Sequence, residues 1–444
     1  MTIPPVMELT AEEKEAKEYF IYLLSAMNKP CDVGTAADLE TCLPTWFDEA
    51  KFKRGQKFYN DNRFGILQAN FCGLMVLLAD PKGLRILEHT NKSSTTESAR
   101  KRYISTFMHM NDWYECDLVP GSRSWKSLSQ VRRMHLSASN SAKKRNLGFI
   151  NQSEMALTTF GFMGFAIVRP HLLGIRYDNR EDREAFVFFW AVIGFMLGVQ
   201  DEYNMCLFRL EVVEMICHTV MRYVFVPSLQ LETLLLRRMM GAVVDAFAPY
   251  MPLVSYESIL FMTRRLVGIP GYQYMVDREK EYICRPIISK EEMNDVLEFL
   301  TPRDGYRQVV AMYRAIFTEK LRLYTVKELP DEINHNYVDM AMAGTNGTYT
   351  QLPGEEDQKS SESQLRELMG LKHNQELVVT TVDDESEWST YRNDSKLELL
   401  PARDQTNVRW TIQSLNLCNT TIGRFANETV LSLILYRLRR LHGK

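Results

Sequence analysis

The chain of 444 residues is 45% hydrophobic and 25% charged, which suffices for one large domain or two ordinary ones with a well-buried core. Its formal net charge of −3 argues against a nucleic-acid partner, because phosphate binding relies on a concentrated basic surface. The eight cysteines are scattered without a CxxC pair, so the sequence predicts reduced thiols rather than disulfides or a structural zinc.

Residues 1–46 are predicted to form an N-terminal helical extension. Thr10 precedes a run of acidic residues, as at a capped helix start, and an apolar stripe begins at Phe20. Residues 1–18 lack the apolar stretch of a secretory signal. Together with the reduced thiols, this leads us to expect a cytoplasmic protein.

Over roughly the next 280 residues, apolar residues recur mostly at helical spacing. Phe64 to Leu78 forms an apolar helix, and Arg102 to His135 reads as two helical segments joined by a loop at Asp117 to Ser124. The fifteen residues from Ala185 to Val199 are too few for the roughly 20 that cross a bilayer, so a buried core helix is favoured over an embedded segment. Few stretches alternate, so strands are expected to be scarce and the fold class to be all-α.

Composition changes near the C-terminal end of the chain. Residues 331–395 carry an acidic excess with short apolar clusters, which predicts a solvated, partly flexible linker. Residues 396–444 end in a basic amphipathic helix, in which leucines alternate with Arg437, Arg439 and Arg440. Docking on the protein's own body is the favoured interpretation, and contact with a membrane surface is the alternative.

Two polar patterns mark the stretch from Arg102 to His135. On its first segment Arg102, Ser105, Thr106 and His109 follow i, i+3, i+4, i+7 spacing, which gathers them on one helical face suited to an anion.

On the second segment Leu128, Val131 and His135 share a face, with Arg132 and Arg133 one turn before the histidine. Burying arginine is costly unless an anion pairs with it, which suits a cofactor carrying both a metal and carboxylates. Exposed arginines beside a buried, hydrogen-bonded histidine fit the same residues, and that alternative stays open.

Other catalytic signatures are absent from the sequence. There is no G-x-S-x-G elbow, Walker loop, G-x-G-x-x-G fingerprint or H-E-x-x-H pair, and no multi-histidine metal spacing. Ligation of a pre-assembled cofactor by one histidine survives this elimination, and haem is the obvious case.

An ordered set of short motifs carries a family resemblance. In chain order they are Arg54-Gly55-Gln56-Lys57-Phe58, Phe64, Ala79-Asp80-Pro81, Leu87-Glu88-His89-Thr90, Arg102 with Thr106, and Val131-Arg132-Arg133-Met134-His135. From residue 47 to residue 323 the chain thereby resembles the rubber oxygenase catalytic-domain family. That family includes the latex-clearing proteins and an oxygenase bound to the endoplasmic reticulum in mycophenolic acid biosynthesis.

The resemblance implies a single large helical domain, residues 47–330, that encloses non-covalently bound haem b and uses dioxygen to cleave isoprenoid double bonds. It implies that His135 is the proximal iron ligand and that Arg132 lies near a haem propionate. Arg102 and Thr106 would face the haem from the first helix. It also leads us to expect contact with the surface of the endoplasmic reticulum.

Two positions differ from the family pattern or match it weakly. Ser105 stands where latex-clearing proteins can place a lysine that caps the iron, so a lysine-capped state is not expected. Glu88 is the candidate for the family's distal carboxylate, although the spacing around it fits poorly and an ordinary helix-end charge is the favoured interpretation.

The leading hypothesis is a haem b oxygenase acting on a hydrophobic, unsaturated, isoprenoid-type substrate, with carbonyl products. One alternative is a haem- or lipid-binding helical protein without oxygenase turnover. Another is a haem enzyme of altered chemistry, such as an isomerase, dehydratase or peroxidase, since a fold does not fix its reaction.

Overall fold

The computed structural model describes most of the N-terminal 270 residues and the C-terminal helices. The described residues are 8–79, 87–90, 92–93, 95–231, 234–251, 254–269, 271–272, 274, 287–289, 292–293, 295–296, 321–328, 375–382 and 396–442.

Thirteen α-helices lie in these described ranges. They are α1 Ala11–Ser25, α2 Glu49–Asp61, α3 Arg63–Ala79, α4 Thr96–Glu115, α5 Arg123–Lys143, α6 Gln152–Val168, α7 Arg180–Met196, α8 Leu210–Val220, α9 Val226–Leu231, α10 Leu234–Phe247, α11 Tyr256–Val267, α12 Ala402–Leu417 and α13 Thr421–His442. A π-helical turn, Met221–Phe225, joins α8 to α9. The expected all-α class is confirmed for this body.

The core forms where apolar helices cross at glycines. A Cβ added to Gly73 of α3 would lie 1.8 Å from the carbonyl oxygen of Gly161 of α6, so these helices approach with backbone against backbone. A Cβ on Gly55 of α2 would lie 2.4 Å from the carbonyl oxygen of Ala185 of α7. Larger residues at these positions would force the helix pairs apart.

The most hydrophobic run of the chain is a core helix, as expected. Phe186, Phe189 and Trp190 of α7 are at most 2% exposed. Among the described residues no single helix is long and apolar enough to cross a membrane. The pair α2 and α3 passes that test of length and composition together, with a bend of 91° between them.

One two-stranded antiparallel ladder adds to the helical body. Strand β1, Leu321–Glu328, pairs with β2, Gln375–Val382, with Leu321 opposite Val382. β2 falls inside residues 331–395, where the sequence predicts an acidic linker. The rest of that predicted linker lies outside the described residues.

The C-terminal helix α13 docks on the body, as favoured from the sequence. Leu431, Leu435 and Leu438 are at most 5% exposed, and α13 packs against α3 and α4. Glu428 accepts a hydrogen bond from Arg63 Nε at 3.0 Å. A second apolar face of α13 stays exposed.

Candidate functional site

Helices α4 and α5 form the pair predicted between Arg102 and His135. Thr95 caps α4 by accepting a hydrogen bond from the backbone N–H of Ser98, and Ser122 caps α5 by accepting one from Trp125. Hydroxyl caps of this kind satisfy backbone donors that a helix start leaves unpaired. The loop between the helices runs through residues 116–122, close to its predicted place.

Ser127 links the two helices. Its hydroxyl oxygen accepts a hydrogen bond from Trp113 Nε1 at 2.8 Å, because an indole N–H only donates. The same hydroxyl lies 2.8 Å from Nδ1 of His109. His109 is therefore engaged in pairing α4 with α5.

His135 differs from His109 in the surroundings of its ring. Its side chain is half-buried, but Nδ1 is fully buried and has no hydrogen-bond partner in the described part of the chain. Burial, with the positive charge of Arg102 second, lowers the pKa of His135 to about 4. The imidazole is thus neutral at pH 7, which is the form that binds metals. Leaving a buried nitrogen without a partner costs about 1–3 kcal/mol.

Arg102 lies on α4 close enough for its charge to act on His135. Nη1 of Arg102 donates hydrogen bonds to Thr90 Oγ1 at 3.2 Å and Ser93 Oγ at 3.3 Å. Within the described ranges no ion pair joins Arg102 to a carboxylate. Hydroxyls orient the guanidinium without neutralising it, so the charge remains available to an anion.

The other predicted residues on α4 make ordinary helical contacts. Thr106 Oγ1 donates to the backbone carbonyl of Arg102 at 3.1 Å, a common bond for a threonine inside a helix. Ser105 is half-buried.

Arg132 does bind an anion, but one from the chain itself. Its Nη2 lies 2.7 Å from Asp32 Oδ1, and its Nε lies 3.2 Å from both oxygens of that carboxylate. Nη1 donates to the backbone carbonyl of Glu40 at 3.2 Å. All three nitrogens therefore have partners, and the placement of Arg132 on a haem propionate stays a prediction that this pairing does not favour.

Glu88 forms an ion pair with Arg238, and the two side chains are 43% and 54% exposed. This arrangement fits the favoured interpretation of Glu88 as a surface charge. Thr90, two residues after Glu88, nevertheless accepts a hydrogen bond from Arg102.

The family model described as "ER-bound oxygenase mpaB/B'/Rubber oxygenase, catalytic domain" matches residues 56–255, somewhat less than half of the chain. Those residues are similar to the catalytic domain of that family. Every candidate residue named from Glu88 to His135 lies within this rubber oxygenase region. Asp32, α12 and α13 lie outside it.

The solved structure of latex clearing protein LCP in the closed state is similar at a TM-score of 0.41 and 16% sequence identity. That similarity covers 70% of this chain and 92% of the other. No curated protein matches the chain.

The rubber oxygenase region holds site residues that the sequence did not single out. Thr90 and Ser93 hold Arg102, and Ser127 holds His109, yet none of these hydroxyls has a distinctive local pattern. Of these three residues only Thr90 lay in one of the family motifs, Leu87-Glu88-His89-Thr90. His218 is a further half-buried histidine, whose pKa is lowered to about 3 by burial and then by Arg169.

No cluster of three or more histidine, cysteine or acidic residues that could hold a metal ion occurs in the described part of the chain. A haem iron needs only one protein ligand besides the porphyrin nitrogens. The donor relevant to that chemistry is therefore a single neutral imidazole, and His135 supplies one.

Proposed function

We propose that the protein is a haem b-dependent oxygenase that uses dioxygen to cleave a carbon–carbon double bond of a hydrophobic, isoprenoid-type substrate into carbonyl products. Similarity of residues 56–255 to an oxygenase family supports the reaction class. The observation that supports haem as the cofactor is the buried Nδ1 of His135, which has no hydrogen-bond partner in the described residues and lies near the charge of Arg102.

The residues present fit haem. Haem would be held by a neutral nitrogen that binds the iron and by a cation that pairs with a propionate carboxylate. His135 has a neutral imidazole, and Arg102 has a charged group whose described hydrogen-bond partners are hydroxyls. In this proposal His135 ligates the iron and Arg102 pairs with a propionate.

When bound, haem b would supply the activation of dioxygen, and the protein would supply orientation and access. His135 contributes a lone pair that remains unprotonated down to mildly acidic pH, because its pKa is about 4. Thr90 and Ser93 hold the Arg102 guanidinium in place. Leu128 and Val131, at most 9% exposed, lie two turns and one turn before His135 on the same face of α5.

The remaining candidate residues already have partners, which limits the roles that they can take. Thr106 keeps an acceptor oxygen after its backbone bond and stays a candidate for facing the haem. Glu88 would have to leave Arg238 to act as a distal carboxylate. Arg132 would have to leave Asp32 to reach a propionate, so Arg102 is the better propionate partner.

An absorption spectrum tests the cofactor. Full-length protein expressed with added haem precursor should purify with a Soret band, and a colourless protein would refute the proposal. Oxygen uptake with isoprenoid substrates, followed by mass spectrometry, should reveal paired aldehyde and ketone fragments. A Soret band without oxygen uptake would instead favour a haem carrier.

We further propose that the protein makes peripheral contact with an anionic membrane surface through the outer face of α13. Ile422, Phe425, Leu433 and Tyr436 are 59–85% exposed along that face, and residues 429–444 contain no acidic residue. Exposed aromatic and aliphatic groups beside arginines suit the boundary of a bilayer. Sedimentation with phosphatidylserine vesicles should fall in a Phe425→Ser variant. Equal sedimentation of variant and wild type would contradict this contact.

A further inference from the structure

An N-terminal segment packs against α5, the helix that carries His135. Residues 29–41, here called the strap, follow the short helix Ala26–Asn28 and cross the outer face of α5. The strap lies outside the matched residues 56–255. Its position gives this family region a support that its own residues do not provide.

The strap contacts α5 over about three turns, from Ser129 to Asn140. The hydroxyl oxygens of Ser129 and Thr41 lie 3.0 Å apart, within hydrogen-bond distance, and Asn140 Nδ2 donates to the carbonyl oxygen of Gly34 at 3.0 Å. Arg133 Nε donates to the carbonyl oxygen of Ala36 at 3.3 Å. These contacts lie on both sides of His135 along the helix.

The ion pair between Asp32 and Arg132 is the strongest of these attachments. The two side chains are 7% and 17% exposed, so water screens the pair little. The guanidinium binds the carboxylate through Nε and Nη2, which fixes its direction as well as its distance. Arg132 is one turn before His135 on the same helix.

The opposite edge of the strap is anchored to the core. Cys31 N–H donates to the carbonyl oxygen of Ile150 at 3.1 Å, and Gln152 N–H donates to that of Lys29 at 2.9 Å. A Cβ added to Gly198, where φ is +103°, would lie 2.8 Å from Asp32 Oδ2. The carboxylate is therefore fixed between α5 and the segment that follows α7.

These attachments define the rotation of α5 about its axis. Ser129, Arg132, Arg133 and Asn140 follow i, i+3, i+4, i+11 spacing and share one face. His135 lies about a third of a turn away from the centre of that face, at 3.6 residues per turn. A small rotation of α5 would move His135 relative to Arg102 on α4.

We infer that the strap, through the Asp32–Arg132 pair, is a positioning element that fixes the imidazole of His135 for its ligand. This inference rests on the proposed function, because haem is the ligand that His135 would hold. In this inference Asp32 and Arg132 act through the backbone of α5, because Arg132 is bound to Asp32 rather than to the cofactor.

The test compares Asp32→Asn with Glu428→Gln in the full-length haem protein. Glu428→Gln is a matched control, since it neutralises another half-buried carboxylate that is paired with an arginine. The side chain of Glu428 is 20% exposed and that of its partner Arg63 is 25% exposed. The rate of haem transfer to apomyoglobin and the Soret position are measured, with thermal unfolding alongside. Asp32→Asn should release haem about tenfold faster, as for other groups that orient a metal ligand, and Glu428→Gln should leave the rate unchanged.

A readout without haem separates positioning from cofactor chemistry. In the apoprotein, amide hydrogen exchange along α5 should accelerate in Asp32→Asn and remain at the wild-type rate in Glu428→Gln. The double variant Asp32→Asn/Arg132→Gln, which removes both charges and retains amide groups that can pair, should recover most of the wild-type haem release rate.

Three outcomes overturn the inference: wild-type haem release in Asp32→Asn, equal acceleration in both single variants, or no recovery in the double variant. If Asp32→Asn does not fold, Asn140→Ala removes a milder strap contact and should still accelerate haem release severalfold. A wild-type protein that binds no haem would instead refute the proposed function.

Discussion

The neutral state of His135 predicts a specific sensitivity to acid. In the folded apoprotein the pKa of His135 is about 4, against 6.5 for an ordinary histidine, because burial and then Arg102 oppose its protonation. The unfolded chain therefore takes up the proton first as pH falls. Replacing His135 with glutamine removes this titration while keeping a polar side chain.

The size of the effect follows from that difference in pKa. Stability contributed by the neutral imidazole is fully present above pH 6.5 and is lost as pH falls from 6.5 towards 4. At 1.36 kcal/mol per pKa unit, wild type should lose about 2 kcal/mol more than His135→Gln between neutral pH and about pH 4.5.

Urea unfolding of both apoproteins at the two pH values measures this difference, and histidine-selective NMR measures the pKa directly. A His109→Gln variant is the control, because it removes an imidazole whose Nδ1 is hydrogen-bonded to Ser127 on the neighbouring helix. An NMR pKa near 6.5 for His135, or an equal acid response in wild type and His135→Gln, would refute the reasoning.

Three further predictions concern the cofactor and the core. His135→Ala should purify without a Soret band while His109→Ala largely keeps it, and equal loss in both would remove His135 as the axial ligand. Arg102→Gln should weaken haem affinity roughly tenfold or more, since a hydrogen bond to a charged group is worth about 1.5–3 kcal/mol; titration of apoprotein with haem measures this, and unchanged affinity would exclude a propionate contact. Gly73→Ala should lower the free energy of unfolding by about 1–3 kcal/mol, because its Cβ would meet the carbonyl of Gly161 at 1.8 Å; urea unfolding checks this, and unaltered stability would contradict the close crossing.

Helical periodicity was sufficient to predict the main elements of the body. The apolar run in α3 and the very hydrophobic run in α7 became buried helices, because their composition leaves no solvent-compatible face. The pairing of β1 with β2 was not predictable in the same way. Its partners are separated by residues 329–374, and no local pattern specifies which distant strand completes a ladder.

In the candidate site, too, the partners of individual side chains could not be predicted from local sequence. The expectation that Arg132 needs an anion was correct in its physics, but the anion is Asp32, 100 residues earlier in the chain. Sequence spacing locates residues on one face of a helix and does not say which segment packs on the other face. The hydrogen bonds from Arg102 to Thr90 and Ser93 were not predictable either. Thr90 stood in one of the family motifs, but no local pattern pairs a serine or threonine with a particular arginine.

The anchoring of α13 has a practical consequence for recombinant work. Arg424 donates to the backbone carbonyl of Asp61 at 2.8 Å, and Glu428 binds Arg63, so the C-terminal helix braces the bend between α2 and α3. A fragment cut at residues 56 and 255 would lose this brace together with the carboxylate that neutralises Arg132. It would also expose the apolar surface that covers Leu431, Leu435 and Leu438. The bounds of the family match are thus poor cloning boundaries here, and expression should retain both chain ends.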